Sequence, residues 1–157
     1  MSKINHSTEN LEWQAERTGF RAPTKRRRVL LIGKGNAFSD GVMNLLSRCP
    51  NLSVSRTSHT QEAAILGQVT QHRPEVLVLI QSRAMDLDNI LILLSATQAA
   101  SHLRLVVLSL ENTGIEIHEV RNAIKEIQSS HIFPATVEDF LRVVNKDWHA
   151  LPQHPEQ

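Results

Sequence analysis

The sequence predicts an α/β fold in which a parallel β-sheet is covered by helices on both faces. The first observation is an alternation along the chain, in which short apolar runs are followed by stretches whose apolar residues recur at helical spacing. The second is the run VLVLI at residues 76–80, which is apolar on both faces, as a strand in the middle of a covered sheet must be. Because strands and helices alternate strictly and short loops join them, the strands must be parallel and the crossovers right-handed.

Five strand–helix pairs follow one another after residue 28. The predicted strands are residues 29–32, 51–58, 76–80, 103–108 and 130–133. The predicted helices follow them at residues 38–49, 62–72, 86–100, 117–127 and 136–148. Pro50 ends the first helix, and Thr136 can cap the last one, whose first turn carries Glu138 and Asp139 and so suits the helix dipole. For a chain of 157 residues, the flavodoxin-like order 2-1-3-4-5 is the usual arrangement of such units.

The chain divides into a basic leader at residues 1–25, a folded domain at residues 26–150 and a tail at residues 151–157. The leader has no sustained apolar period, so we expect it to be flexible. Residues 1–28 hold seven basic and three acidic residues, whereas the rest of the chain holds ten and thirteen. A body with more acidic than basic residues disfavours nucleic-acid binding.

Composition excludes several classes of protein. Hydrophobic residues make up 41% of the chain and charged residues 21%, which is ordinary for a globular domain. The apolar runs are too short to span a membrane, and the N-terminus has no apolar signal core. The single cysteine, Cys49, cannot form an internal disulfide, so we expect a reducing, cytoplasmic setting and no membrane partner.

Four segments follow the pattern of a known family: VLLIGKGNAFSDGVMNLL, RPEVLVLI, LRLVVLS and IFPATVEDFLRVV. Together they resemble the receiver domain of bacterial two-component response regulators, in particular the type joined to LuxR-type DNA-binding domains. In order, they are similar to the first strand and helix, the run leading to the phosphoacceptor, the fourth strand, and the segment around the final helix. The resemblance covers residues 28–146 and implies the flavodoxin-like fold and a role in signalling.

The resemblance also implies a phosphorylation pocket, and this sequence departs from it at the decisive positions. The acidic pair that holds Mg²⁺ in the family falls on Gly33 and Lys34, and the phosphoacceptor falls on Ile80, with Gln81 beside it. A hydrocarbon side chain cannot form an acyl phosphate, and a hard cation needs oxygen ligands.

The remaining positions of that pocket are kept only in part. The family's hydroxyl residue is retained as Ser109, whereas its lysine falls on Phe133, before a retained Pro134. The sequence therefore predicts a degenerate pseudo-receiver: a protein that is not an enzyme, carries no cofactor or metal, and acts in regulation by binding another protein.

Two other kinds of site were weighed against this hypothesis. The segment GKGN could bind an anion at a helix N-terminus, so the alternative function is a small-ligand sensor, for a nucleotide or anion, in the crevice around Gly33, Gly35, Gln81 and Ser109. Ser109 could be a nucleophile if His59 reached it, but no nucleophile-elbow motif surrounds it. The eight histidines show no metal-binding spacing.

The helix at residues 86–100 predicts where a partner binds. Residues 89–101 contain no lysine, arginine or glutamate, so the helix has a second apolar side opposite the one that faces the core. That side carries Met85, Ile92, Ala96 and Ala99. We predict that these four residues form an interface with another protein or with a second copy of this chain, because contiguous exposed apolar patches usually mark one.

Overall fold

A computed structural model describes residues 26–58, 60–83, 85–109, 114–121 and 126–146. The strands are β1 (Arg27–Ile32), β2 (Leu52–Thr57), β3 (Val76–Gln81), β4 (His102–Ser109), β5 (Ile115–Arg121) and β6 (Glu126–Ile132). The α-helices are α1 (Ala37–Ser47), α2 (Glu62–His72), α3 (Leu87–Ser95) and α4 (Val137–Asn145), and a short 3-10 helix (Gln98–Ala100) follows α3. These elements confirm the predicted α/β class.

The strands form one mixed sheet in the order β2-β1-β3-β4-β5-β6. Strands β1 to β4 are parallel, β5 is antiparallel to β4, and β6 is antiparallel to β5. Strand β6 therefore runs in the same direction as β1 to β4, but β5 separates it from them. The prediction of a wholly parallel (βα)5 sheet is wrong, because the strand in the fifth position is reversed and a sixth strand lies outside it.

The predicted helix at residues 117–127 is the source of that error. Residues 115–121 form a strand whose apolar residues alternate, with Ile115 and Ile117 on one face and Val120 on the other. The spacing from Ile117 to Val120 also fits a helical turn, so periodicity alone could not decide between the two. Only five residues separate β4 from β5, which suits an antiparallel hairpin rather than a crossover.

Helices cover both faces of the sheet and create two cores. Helices α1 and α4 pack on one face, where the central strands contribute Leu31, Val78 and Val106. Helices α2 and α3 pack on the other face against Leu30, Leu77 and Leu105. Alternate residues of the same strand thus enter opposite cores, which is why these strands are apolar throughout.

The helix ends follow from local hydrogen bonds. Thr136 caps α4 as predicted: its side chain accepts from the backbone N of Asp139 at 3.1 Å, and the Asp139 carboxylate accepts from the backbone N of Thr136 at 2.9 Å. Helix α3 ends at Ser95 rather than at residue 100. The hydroxyls of Ser95 and Thr97 donate to the carbonyls of Ile92 and Leu93, both at 2.7 Å, and compete with continuation of the helix.

Several predictions concern residues outside the described ranges. The leader at residues 1–25, the tail at residues 151–157 and the predicted end of the last helix at Trp148 all lie there. Within the described ranges, no helix has the length and apolar character that crossing a membrane requires.

Candidate functional site at the carboxyl edge of the sheet

The structure brings most of the predicted pocket residues together at one edge of the sheet. Gly33 and Lys34 directly follow β1, and Ile80 and Gln81 end β3. Gln81 is paired in register with Ser109 at the end of β4. The positions that the family resemblance singled out on β1, β3 and β4 are thus neighbours.

The last two pocket residues are displaced from this group. Phe133 and Pro134 follow β6 and are joined by a cis peptide bond. Because β5 lies between β4 and β6, they are two strand spacings, about 10 Å, from the end of β4. The predicted seven-residue pocket is therefore not assembled in full.

Ile80 fills the space beside Gly33 at the ends of β1 and β3. Its side chain is 5% exposed and belongs to the core that also contains Leu108 and Ile115. A Cβ atom placed on Gly33 would lie 2.9 Å from Ile80 Cδ1 and 3.2 Å from Ile80 Cβ. The space that a side chain at position 33 would enter is thus occupied by Ile80. Among the described residues, no three His, Cys, Asp or Glu side chains are grouped so that they could hold a metal ion.

The loop after β1 is closed by its own hydrogen bonds. The Ser39 hydroxyl is buried, donates to the carbonyl of Lys34 and accepts from the backbone N of Asn36 at 3.1 Å. It also accepts from Arg56 Nη2 at 2.8 Å, and Arg56 Nη1 binds Asp40 Oδ1 at 2.7 Å. Asn36, Ser39 and Arg56 are thus bonded to one another at the first turn of α1, while the Lys34 side chain is exposed.

Ser109, the nucleophile considered in the sequence, is the last residue of β4. Ser109 is half-buried and already has an interaction partner. His59, the base considered for it, lies outside the described residues.

The four residues of the predicted interface do not share one exposed face. Met85 is only 9% exposed and is part of the core under α2 and α3, and Ala99 packs against the same core. The backbone N of Met85 donates to the carbonyl of Ser82 at 3.1 Å, in the turn that precedes α3. Ile92 is 64% exposed and Ala96 is exposed. The inclusion of Met85 and Ala99 in an exposed patch was therefore wrong.

The structure contains an apolar groove that the sequence analysis missed. It lies between α1 and α4 above the end of β4 and has a volume of about 340 Å³. Its lining consists of Phe38, Val42, Leu45, Leu108, Ser109, Gly114, Ile115, Ala135, Thr136, Val137 and Phe140. Phe38 and Val137, which lie in the first turns of the two helices, are 37% and 53% exposed. We call this feature the α1/α4 groove.

A sequence signal for the α1/α4 groove was present. Phe38, Val42 and Leu45 recur at helical spacing, and the adjacent Leu46 widens the apolar stripe of α1. From this spacing the sequence predicts a helix at residues 38–49. Of the four apolar residues only Val42 and Leu46 are buried, and Phe38 and Leu45 border the groove.

Polar groups in the groove are few and engaged. Ser109 has an interaction partner, and the Thr136 side chain is used to cap α4. The hydrogen bonds from the backbone and side chain of Thr136 hold the pKa of Asp139 below its ordinary value, with a smaller contribution from Arg142. The groove therefore offers contact mainly to apolar groups.

Comparison with known proteins identifies no relative. No family model, no curated protein and no solved structure matches this chain. The resemblance to receiver domains consequently rests on the sequence pattern described above.

Proposed function

We propose that this protein is a non-catalytic, phosphorylation-independent pseudo-receiver that acts in regulation by binding a partner protein. The partner inserts an apolar segment into the α1/α4 groove. The observation that carries the proposal is an open apolar groove at the end of β4, whose lining residue Leu108 is paired in register with Ile80, a residue that cannot accept a phosphoryl group. Exposed apolar surface of this kind usually marks an interaction site.

The residue types at the carboxyl edge of the sheet disfavour phosphoryl transfer. Ile80 offers no oxygen to a phosphodonor, and Gly33 and Lys34 offer no carboxylate to Mg²⁺. Regulation must then come from a surface, and the groove is bordered by two helices whose first turns carry Phe38 and Val137.

The size and lining of the groove favour protein side chains over a polar metabolite. A volume of about 340 Å³ is at the small end of the range of ligand pockets, roughly 300–1,000 Å³. Ligand pockets orient a metabolite through convergent polar groups, but Ser109 and Thr136 are already engaged. Burying one large apolar side chain contributes about 1.5–3 kcal/mol, so such side chains of a partner would add to its affinity for the groove.

A peptide selection tests this proposal without knowledge of the natural partner. A random peptide library is selected on the wild-type protein and counter-selected on the Val137→Asp variant. We expect enriched peptides with one or two large apolar residues, and we expect fluorescence polarisation to show that they lose affinity for both Val137→Asp and Phe38→Asp. The matched control is Ile92→Asp, because Ile92 is exposed and lies on α3, outside the groove.

Two results would contradict the proposal. One is a set of enriched peptides that bind Val137→Asp as tightly as the wild-type protein. The other is a stoichiometric, base-labile mass increase of the wild-type protein after incubation with Mg²⁺ and acetyl phosphate. Stabilisation by nucleotides or cyclic dinucleotides in a thermal-shift screen would instead favour the alternative function, a small-ligand sensor.

A further inference from the structure

Strand β6 presents an open edge of the sheet. Among the described strands it pairs only with β5, so half of its backbone N–H and C=O groups point away from the sheet. The pairing with β5 runs without interruption over all seven residues of β6, from Glu126 to Ile132. The edge is therefore long and regular.

Several devices that normally protect an edge strand are absent from the described residues of β6. Natural proteins block such edges with lysine, proline, a bulge or a very short strand. The sequence of β6, EIQSSHI, contains no lysine, arginine or proline. The opposite edge differs, because β2 carries Arg56, which bonds to Asp40 and Ser39 across the first loop.

We propose that β6 pairs with β6 of a second copy of this chain, antiparallel about a two-fold axis at Ser129, so that two six-stranded sheets become continuous. In this register the two Ser129 residues face each other. Ile127 lies opposite the partner's His131, and Gln128 lies opposite the partner's Ser130. No like charges face each other within the paired strands, so the strand is complementary to itself.

Side chains on one face of β6 favour a second copy over a foreign strand. Ile127, Ser129 and His131 alternate onto the same face. Ser129 Oγ is held by a hydrogen bond to His118 Nδ1 at 2.7 Å. His131 stacks on Phe133 with ring centroids 6.0 Å apart and planes 10° apart, and Phe133 is 62% exposed.

Because the proposed dimer is symmetric, each copy contributes the His131–Phe133 pair to the interface. In the proposed register the stacked rings of His131 and Phe133 cover the partner's Ile127, and the partner's rings cover Ile127 in return. The same strand thus supplies both the apolar residue and its cover, which an unrelated peptide would have to reproduce by chance. This inference does not depend on the proposed function, because the α1/α4 groove contains no residue of β6.

The test measures the mass of the full chain over a concentration series by analytical ultracentrifugation. We expect a monomer–dimer equilibrium for the wild-type protein. Ser129→Lys and Ser129→Glu should each weaken the dimer by about tenfold or more, because each places two like charges opposite each other at the axis. An equimolar mixture of the two variants should restore dimers, because unlike charges then meet.

The mixture distinguishes loss of the interface from loss of the fold. Ser53→Lys is the matched control, since it places the same exposed lysine on β2 at the other edge and should leave dimerisation unchanged. A wild-type protein that stays monomeric at all concentrations would overturn the inference. So would undiminished dimerisation of the two Ser129 variants, or a mixture that fails to restore dimers.

Discussion

The surroundings of the parallel strands differ between their carboxyl and amino ends. At the carboxyl end, Ile80 is buried and the adjacent groove is apolar. Toward the amino end, Arg104 is 1% exposed and its Nη2 lies 3.1 Å from the carboxylate of Glu119, which is also buried. The groove at one end is thus lined mainly by apolar side chains, whereas the core at the other end contains a buried ion pair.

The buried charges at the amino end serve to hold α4. Arg104 Nη1 donates to the carbonyl of Val143 at 2.8 Å and also to that of Lys146. Arg27 Nη1, from β1, donates to the carbonyls of Val144 at 3.1 Å and Lys146 at 2.6 Å. Cations at a helix C-terminus satisfy its free carbonyls and oppose its dipole. The buried charged cluster thus joins β1, β4 and β5 to the end of α4.

We expect the largest loss of folding stability from Arg104→Ala. The substitution removes the closest described cation from the buried Glu119 carboxylate, leaving Arg121 at 3.8 Å, and it removes donors to the end of α4. Breaking a buried ion pair in this way costs about 3–5 kcal/mol. Urea denaturation followed by circular dichroism measures the free energy of unfolding.

Two further variants test whether the loss comes from breaking a buried ion pair. Arg142→Ala should change the free energy of unfolding far less, because the ion pair of Arg142 with Asp139 is exposed. The double variant Arg104→Met with Glu119→Leu should recover part of the loss, because it leaves no uncompensated charge in the core. If Arg104→Ala unfolds at the same urea concentration as the wild-type protein, the ion pair does not stabilise α4.

We expect a smaller loss of folding stability from Gly33→Ala, at the carboxyl end of the parallel strands. The new methyl group would lie 2.9 Å from Ile80 Cδ1, so the core is overpacked at a cost of about 1–3 kcal/mol. Ile80→Val removes the Cδ1 atom, so the same Gly33→Ala change should cost less in that background. A double-mutant cycle in urea measures the coupling.

Gly41→Ala is the matched control for Gly33→Ala. Gly41 lies inside α1, and a Cβ atom there would meet nothing within 4 Å. Alanine is the better helix former, so the control should stabilise the protein by about 0.5–1 kcal/mol. Equal costs of Gly33→Ala with and without Ile80→Val would show that Ile80 does not fill the space beside Gly33.

We expect the stability of the fold to depend on pH through His118, which lies on the antiparallel strand β5. Burial lowers the pKa of His118, and the negative charges of Glu116 and Asp88 oppose this only in part. Between the ordinary histidine pKa of about 6.5 and the lowered value, the unfolded chain binds more protons than the folded one. Stability should therefore fall as the pH drops through this window, and it should lose no more from this group below the lowered pKa.

The variant His118→Gln isolates this contribution. Thermal melts at a series of pH values should show a smaller loss of Tm on acidification for the variant than for the wild-type protein. Parallel curves for the two proteins would mean that His118 keeps the same proton affinity in the folded and unfolded states.

The smallest effect is expected from Ile92→Arg. Ile92 is 64% exposed on α3 and belongs to neither end of the sheet. Surface substitutions of this kind usually change stability by less than about 0.5 kcal/mol. Tm, peptide binding and dimerisation should all match the wild-type protein, and weaker dimerisation would restore Ile92 as part of an interface.

The sequence predicted an element correctly where its residue pattern was typical of one kind of element. Residues 76–80 are apolar on both faces and could only be a central strand, and β3 pairs on both sides. Thr136 caps α4, whose first turn carries Glu138 and Asp139, as the sequence predicts.

Sequence reasoning failed where the outcome depended on tertiary context. Ile117 and Val120 fit a helical turn and a strand equally, and pairing with β4 and β6 decided the matter. Once that segment had been assigned to a helix, Glu119 could not be predicted to meet Arg104. The exposure of Phe38 and Val137 likewise depends on how far apart α1 and α4 lie, which no local pattern encodes.

The hydrogen bonds from Arg27 to the carbonyl of Lys146 have a consequence for the connectivity of the chain. They fix the entry of the chain into β1 directly beside its exit from α4, on the same side of the domain. A short linker could therefore join these two points without distorting either element, since closure of a short loop carries a small entropic cost. The fold is thus suited to circular permutation, with the new ends opened in a surface loop.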